Sequence, residues 1–177
     1  MSIVKSDPLL AAGKLITYIG QAIMAIAAIG ITIGLPFVLF FQDKIEVEWQ
    51  AEMATTTAFP TLWLAAIMLV IVFAVALIFI FLGKLRQIIN TVGEGDPFVP
   101  ENAERLTLMA WIMLGLQLLA IPTVAIAIYL QKILENTDAS IDAQLDLSGI
   151  ILVIMLFILA RVFRHGTAMR DDLEGTV

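Results

Sequence analysis

Long uncharged stretches alternate with short charged ones along the chain. Residues 15–41, 53–83 and 106–131 carry no charged side chain, and a fourth uncharged run covers 147–160. A spanning helix needs about 20 predominantly apolar residues to cross a hydrocarbon core of about 30 Å. The first three runs satisfy that length. The fourth is shorter, but its apolar pattern continues past Arg161 into Val162 and Phe163 and is preceded by Ile141 and Leu145 at helical spacing. A long arginine near a helix end can snorkel to the headgroups. The pattern therefore predicts an all-α polytopic membrane protein forming one domain over 1–177. Its spans fall at about 15–41, 60–83, 106–130 and 147–164. A cytoplasmic elbow is expected at 84–105 and a cytoplasmic tail at 165–177. The first run is read as an uncleaved anchor, although Ala25-Ile26-Ala27 has the small-x-small look of a cleavage site.

Composition agrees with this picture. Of 177 residues 60% are hydrophobic and 15% charged, against about 45–50% and about 25% in soluble domains. Basic residues set the orientation. With four spans and a cytoplasmic N-terminus, Lys5, Lys14, Lys84, Arg86, Arg105, Arg161, Arg164 and Arg170 lie inside, and Lys44 and Lys132 outside. That asymmetry follows the positive-inside rule and predicts an antiparallel four-helix bundle with both termini cytoplasmic. The lipid bilayer is the expected first partner. A formal net charge of −6 argues against direct nucleic-acid binding. The absence of cysteine removes disulfides and thiolate chemistry.

Inside the spans the signals concern packing. Gly13, Gly20, Ala27 and Gly34 recur every seven residues, and Gly30 and Gly34 form a G-x-x-x-G. Such positions let helix backbones approach closely. They point to packing within the chain, with a homo-oligomer as the other use. Thr17 and Gln21 share one helix face, and Gln117 lies midway along the third span, all suited to interhelical hydrogen bonds. Pro36 and Pro122 are expected to kink or end local turns. No acid, lysine or histidine lies deep in a span, which argues against an ion-coupled transporter.

Candidate chemistry is sparse. No phosphate-binding glycine loop, H-E-x-x-H, G-x-S-x-G or EF-hand loop occurs. The single histidine, His165, cannot build the usual metal site alone and has no obvious nucleophile beside it. No enzyme, cofactor or metal is expected. An acidic outer loop, Glu135, Asp138, Asp142 and Asp146, reads as a solvated loop, the alternative being attraction of a divalent cation or cationic peptide.

The elbow carries more local information. Leu85, Ile88 and Ile89 extend the second helix past the membrane, Gly93 and Gly95 stop it, and Pro97 and Pro100 stiffen the turn. Pro100 is placed to open the next helix, with Glu101 and Glu104 in its first turn. Asp96, Glu101 and Glu104 complement Arg161, Arg164 and Arg170, so at least one of these arginines is expected to meet the elbow.

The elbow Gly95-Asp96-Pro97-Phe98-Val99-Pro100-Glu101-Asn102-Ala103-Glu104-Arg105-Leu106, followed by Trp111, resembles the middle signature of a bacterial membrane family, domain of unknown function 2975. The tail Val162-Phe163-Arg164-His165-Gly166-Thr167-Ala168-Met169-Arg170-Asp171-Asp172-Leu173-Glu174-Gly175-Thr176-Val177 resembles that family's closing signature. The resemblance implies four spans and no established catalytic activity. It also implies a membrane partner for a small helix-turn-helix regulator encoded alongside. On that reading Asp96, Pro97, Phe98, Glu101, Asn102, Arg105, Arg164, Arg170, Asp171, Asp172 and Glu174 form a partner-binding surface. The alternatives are a small transporter, channel or immunity-type protein, and a structural subunit of a membrane complex.

Overall fold

Asp7 opens the first helix. Its carboxylate accepts the Leu9 N–H at 2.9 Å, and Pro8 follows in the first turn, where a missing N–H leaves no bond unmade. The computed structural model describes residues 7–53, 58–133 and 147–174. Among them are five helices and no strand: α1 (Pro8–Phe40), α2 (Gln42–Met53), α3 (Thr61–Gly93), α4 (Pro100–Ile133) and α5 (Leu147–Glu174). Four of these, all but α2, are long and apolar enough to cross a membrane. At about 1.5 Å per residue, the 33 residues of α3 extend well beyond a hydrocarbon core. The elbow is therefore the short turn 94–99 between two long helices. Of the expected tail, residues 165–174 are the end of α5, and 175–177 lie outside the described residues. Pro36 and Pro122 lie within continuous helices rather than ending them. The acidic stretch Glu135, Asp138, Asp142 and Asp146, with Ile141 and Leu145, lies outside the described residues.

One helix was not foreseen. The stretch between the first two expected spans, with Lys44 outside, carried no expected element, but α2 occupies Gln42–Met53 of it. At 12 residues it is too short to cross a membrane, and it is polar besides. Its own stabilisers are local: Gln50 donates to Glu46 one turn earlier at 3.3 Å, and the Trp49 ring meets Phe59 edge-on at 5.4 Å.

Helices pack in chain order. Gly13 lies against Ile89, Gly20 against Leu82 and Gly34 against Met68, so numbers rise along α1 as they fall along α3. Tyr18 reinforces this pairing under the Arg86 guanidinium, 4.5 Å from the ring centre. Next, α3 meets α4, with Asn102 bonded to Thr91 at one end and Trp63 against Tyr129 at 4.6 Å at the other. Finally α4 meets α5, with Trp111 against Phe157 and Gln117 over Gly149. Each pair is antiparallel. Among the described residues α1 and α5 form no extensive contact, so the four long helices stand in a row: α1, α3, α4, α5.

The small-residue stripe acts within the chain, with one exception. A Cβ on Gly20 would come within 2.9 Å of Leu82 Cδ1, and one on Gly13 or Gly34 within 3.3 Å of α3 side chains. Gly30 faces open space. It was expected to pack through its G-x-x-x-G with Gly34, but it lies off the seven-residue stripe that meets α3. Ala27 stays half-buried. Gln21 is buried and donates its Nε2 to the Phe79 carbonyl at 3.2 Å, across the α1–α3 interface. Thr17 is buried too, but its hydroxyl returns to the Lys14 carbonyl of its own helix at 2.8 Å.

The core lies towards the elbow end of the row. Ile88 of α3, Leu106, Met109 and Ala110 of α4, and Leu156 and Ala160 of α5 form one buried cluster. Ala110 and Ala160, with almost no exposed surface, let three helices meet there. Substituting Gly20→Ile should overpack α1 against α3 and lower stability by about 1–3 kcal/mol. Gly30→Ile should leave it unchanged. Thermal unfolding in detergent compares the two, and equal effects would refute the assigned interface.

Candidate functional site

The turn between α3 and α4 is built by backbone chemistry before any side chain is considered. After Gly93 the Glu94 N–H bonds the Asn90 carbonyl, Gly95 that of Val92, and Asp96 that of Thr91. This double closure over the helix end is a Schellman motif, and it puts Gly95 at φ +86°, where glycine carries no steric cost. Asn102 locks the far side of the turn. Its side chain is fully buried. Its Nδ2 donates to Thr91 Oγ1 at 2.7 Å and to the Pro97 carbonyl at 2.9 Å, while its Oδ1 accepts from Arg105 Nη1 at 2.7 Å. The turn is thus tied to both helices it joins.

A second set of contacts docks the turn onto α5. The Phe98 ring lies 5.4 Å from Phe163, over the space a Cβ on Gly166 would need, within 2.7 Å of the ring carbons. Thr167 is buried, and its single hydroxyl hydrogen is shared between the Phe98 carbonyl at 3.1 Å and the Phe163 carbonyl of its own helix at 3.0 Å. Arg170 forms a salt bridge with Asp96 at a half-exposed position. The hydrogen bond from Arg170, with its charge, holds the Asp96 carboxyl below its ordinary range despite the opposing effect of desolvation. The expected arginine–elbow pair is therefore Arg170–Asp96.

The sequence-selected residues fall in several places. Asp96, Pro97, Phe98 and Arg170 come together in the docked turn. Glu101 and Arg105 face the other way, lining a cleft of about 380 Å³ toward α3 with Lys84, Gln87 and Glu104. Arg164 lines a cleft on the α4–α5 side. Asp172 is exposed near the end of α5. Asp171 and Glu174 belong to that helix by backbone, their side chains outside the described set. Asn102 requires a correction. Grouped with the contact surface, it is instead buried inside the turn, because an amide with two donors and an acceptor can satisfy three groups at once there.

Sequence reasoning missed Thr91, Phe163 and Thr167 as the receiving groups, and Gly166 as the floor under Phe98. The available signal was a small residue and a hydroxyl side by side one turn after an aromatic, on a helix otherwise continuing an apolar face. Among the described residues no group of three or more histidines or carboxylates is arranged to hold a metal.

A family model described as "Protein of unknown function (DUF2975)" matches residues 45–177, three quarters of the chain, including the elbow, α4 and all of α5. The chain belongs to the DUF2975 family. No curated protein and no solved structure matches it. The family match thus confirms the resemblance carried by the two signatures. In this DUF2975 chain those signatures are the two halves of one contact, the docked turn and the α5 surface receiving it.

Replacing Asn102→Ala should leave the Pro97 carbonyl and the Thr91 hydroxyl without their shared donor and cost about 1–3 kcal/mol. Limited proteolysis within 94–99 should accelerate accordingly. Wild-type unfolding and cleavage rates in this variant would show that the amide does not hold the turn.

Proposed function

We propose that this DUF2975 protein is a non-enzymatic, multi-pass protein of the bacterial cytoplasmic membrane whose elbow and α5 end form a platform for a soluble cytoplasmic partner. The observation carrying this reading is the docking of the turn on α5 through Phe98, Thr167 and the Asp96–Arg170 pair. Two segments far apart in sequence thereby present one preorganised surface, and preorganisation lowers the ordering cost of binding. Phe98 remains 40% exposed beside its α5 contact, enough to offer an apolar edge. The acids Asp171, Asp172 and Glu174 follow along α5. The partner chemistry that suits them is a basic surface, such as the DNA-facing side of a helix-turn-helix regulator, with carboxylates taking the place of phosphates.

The antiparallel contacts support a cytoplasmic location for both termini. They gather the start of α1, the elbow and the end of α5 at one end, with Lys14, Lys84, Arg86, Arg105, Arg161, Arg164 and Arg170. Because the chain has no cysteine, single introduced cysteines report cleanly. Glu94→Cys should resist a membrane-impermeant maleimide in intact cells, while Lys44→Cys in α2 should react. The reverse pattern would invert the topology and remove the platform from the cytoplasm.

Partner binding has its own test. The triple change Asp171→Lys, Asp172→Lys and Glu174→Lys should reduce membrane recruitment of the neighbouring regulator by about tenfold or more, as loss of a charged hot spot does. Undiminished recruitment by a correctly inserted variant would rule out this surface.

A further inference from the structure

Charges at the elbow end are sorted unevenly between the two sides of α4. Glu101 and Glu104 line the α3 side together with Lys84 and Arg105. Asp96 is taken by Arg170. The α5 side is a cleft of about 640 Å³ lined by Thr107 of α4 and by Phe157, Ala160, Arg161, Arg164 and His165 of α5, with no acid among its lining residues. Arg161, Arg164 and His165 stand at i, i+3 and i+4, so they share one helix face. All three are exposed, and among the described residues none has an ion pair or side-chain hydrogen bond.

Depth decides what such a cleft would bind. Arg161 is the first charge after the uncharged run 147–160. One turn deeper, Trp111 packs edge-on against Phe157 at 5.4 Å and keeps 59% of its surface exposed, a placement suited to a membrane–water boundary. On the other flank of α5, Phe98, Ile158, Val162 and Met169 line an apolar groove of about 440 Å³ that shares Arg161 and His165 with the basic cleft. Cations and apolar surface therefore adjoin at the level where a phospholipid carries phosphate above acyl chain.

We propose that this cleft is a binding site for the headgroup of an anionic phospholipid in the leaflet at the elbow end. The Arg161 and Arg164 guanidinium groups present planar forks that match phosphate oxygens in pairs, and His165 adds a ring N–H. The acyl chains run back along the apolar surface of Ile158, Val162 and Trp111. Basic pockets between transmembrane helices recognise anionic headgroups through this combination. A soluble anion would satisfy the arginines but leave the apolar floor of Phe157 and Ala160 wet. The site rests on the helices spanning a membrane and is independent of any soluble partner.

Native mass spectrometry of the full chain in mild detergent, titrated with phosphatidylglycerol or phosphatidylcholine, tests it. Phosphatidylglycerol should be retained in preference to phosphatidylcholine, and millimolar inorganic phosphate should not displace it. Removing each arginine should weaken phosphatidylglycerol binding about fivefold, and Arg161→Gln with Arg164→Gln about 25-fold. Lys14→Gln with Lys84→Gln, at the same end outside the cleft, should leave binding unchanged. If the glutamine pair does not fold, Arg161→Lys with Arg164→Lys keeps the charge and should retain the preference for phosphatidylglycerol while losing affinity. Equal retention of both lipids, displacement by phosphate, or wild-type affinity in the glutamine pair would overturn the assignment. Failure of the chain to enter lipid nanodiscs would overturn the membrane reading and this site with it.

Discussion

Helices surrounded by hydrocarbon gain almost nothing by hiding leucine from one another, since lipid is as apolar as the partner helix. What holds this row together is therefore close approach. Gly20 admits Leu82, Gly83 admits the Gln21 amide, and Gly149 admits the Gln117 side chain, each at a spot where a Cβ would crowd its neighbour. Ala103, Ala110 and Ala160 do the same around the buried cluster at the elbow end. The polar groups add direction. Gln21 bonds across to Phe79, and an unmet amide in hydrocarbon would be expensive.

Because α4 sits between α3 and α5, its N-terminal end must satisfy two neighbours, and the turn before it does so with different chemistry on each side. Towards α3 it uses hydrogen bonds from a buried amide, Asn102, which leave little freedom in the turn. Towards α5 it uses an aromatic ring over a glycine, a threonine hydroxyl and a half-exposed ion pair. The first set is internal and structural. The second leaves the Phe98 edge and the Asp96–Arg170 pair at the surface, which is why the functional reading centres there.

The same placement of α4 separates its charges from those of α5. Glu101 and Glu104 are drawn to the side of Lys84 and Arg105, so Arg161 and Arg164 face a cleft with no acid among its described lining residues. The complementary charges of elbow and tail led to the expectation that at least one of Arg161, Arg164 and Arg170 meets the elbow. Arg170 does so through Asp96, while helical rotation turns Arg161 and Arg164 toward the cleft beside α4.

Periodicity, charge spacing and turn chemistry were enough to establish four long apolar helices, the stop at Gly93 and Gly95 and the opening at Pro100, because each depends on local composition or backbone preference, while the two signatures were legible only as a resemblance to a known family. They did not reveal α2, whose polar residues form a helix through contacts one turn apart and with Phe59 rather than through an apolar stripe. Nor did they decide that Gly20 of the seven-residue stripe meets α3 while Gly30 of the G-x-x-x-G does not, since the facing surface depends on how α1 is rotated against α3. The same holds at the site. Asn102 looks like a surface contact in a polar loop, and Thr167 like one small residue in a tail. Their roles come from partners 11 and 69 residues away, Thr91 and the Phe98 carbonyl. A buried amide's partners are chosen by the geometry of helix ends meeting in space, and only the tertiary structure decides that.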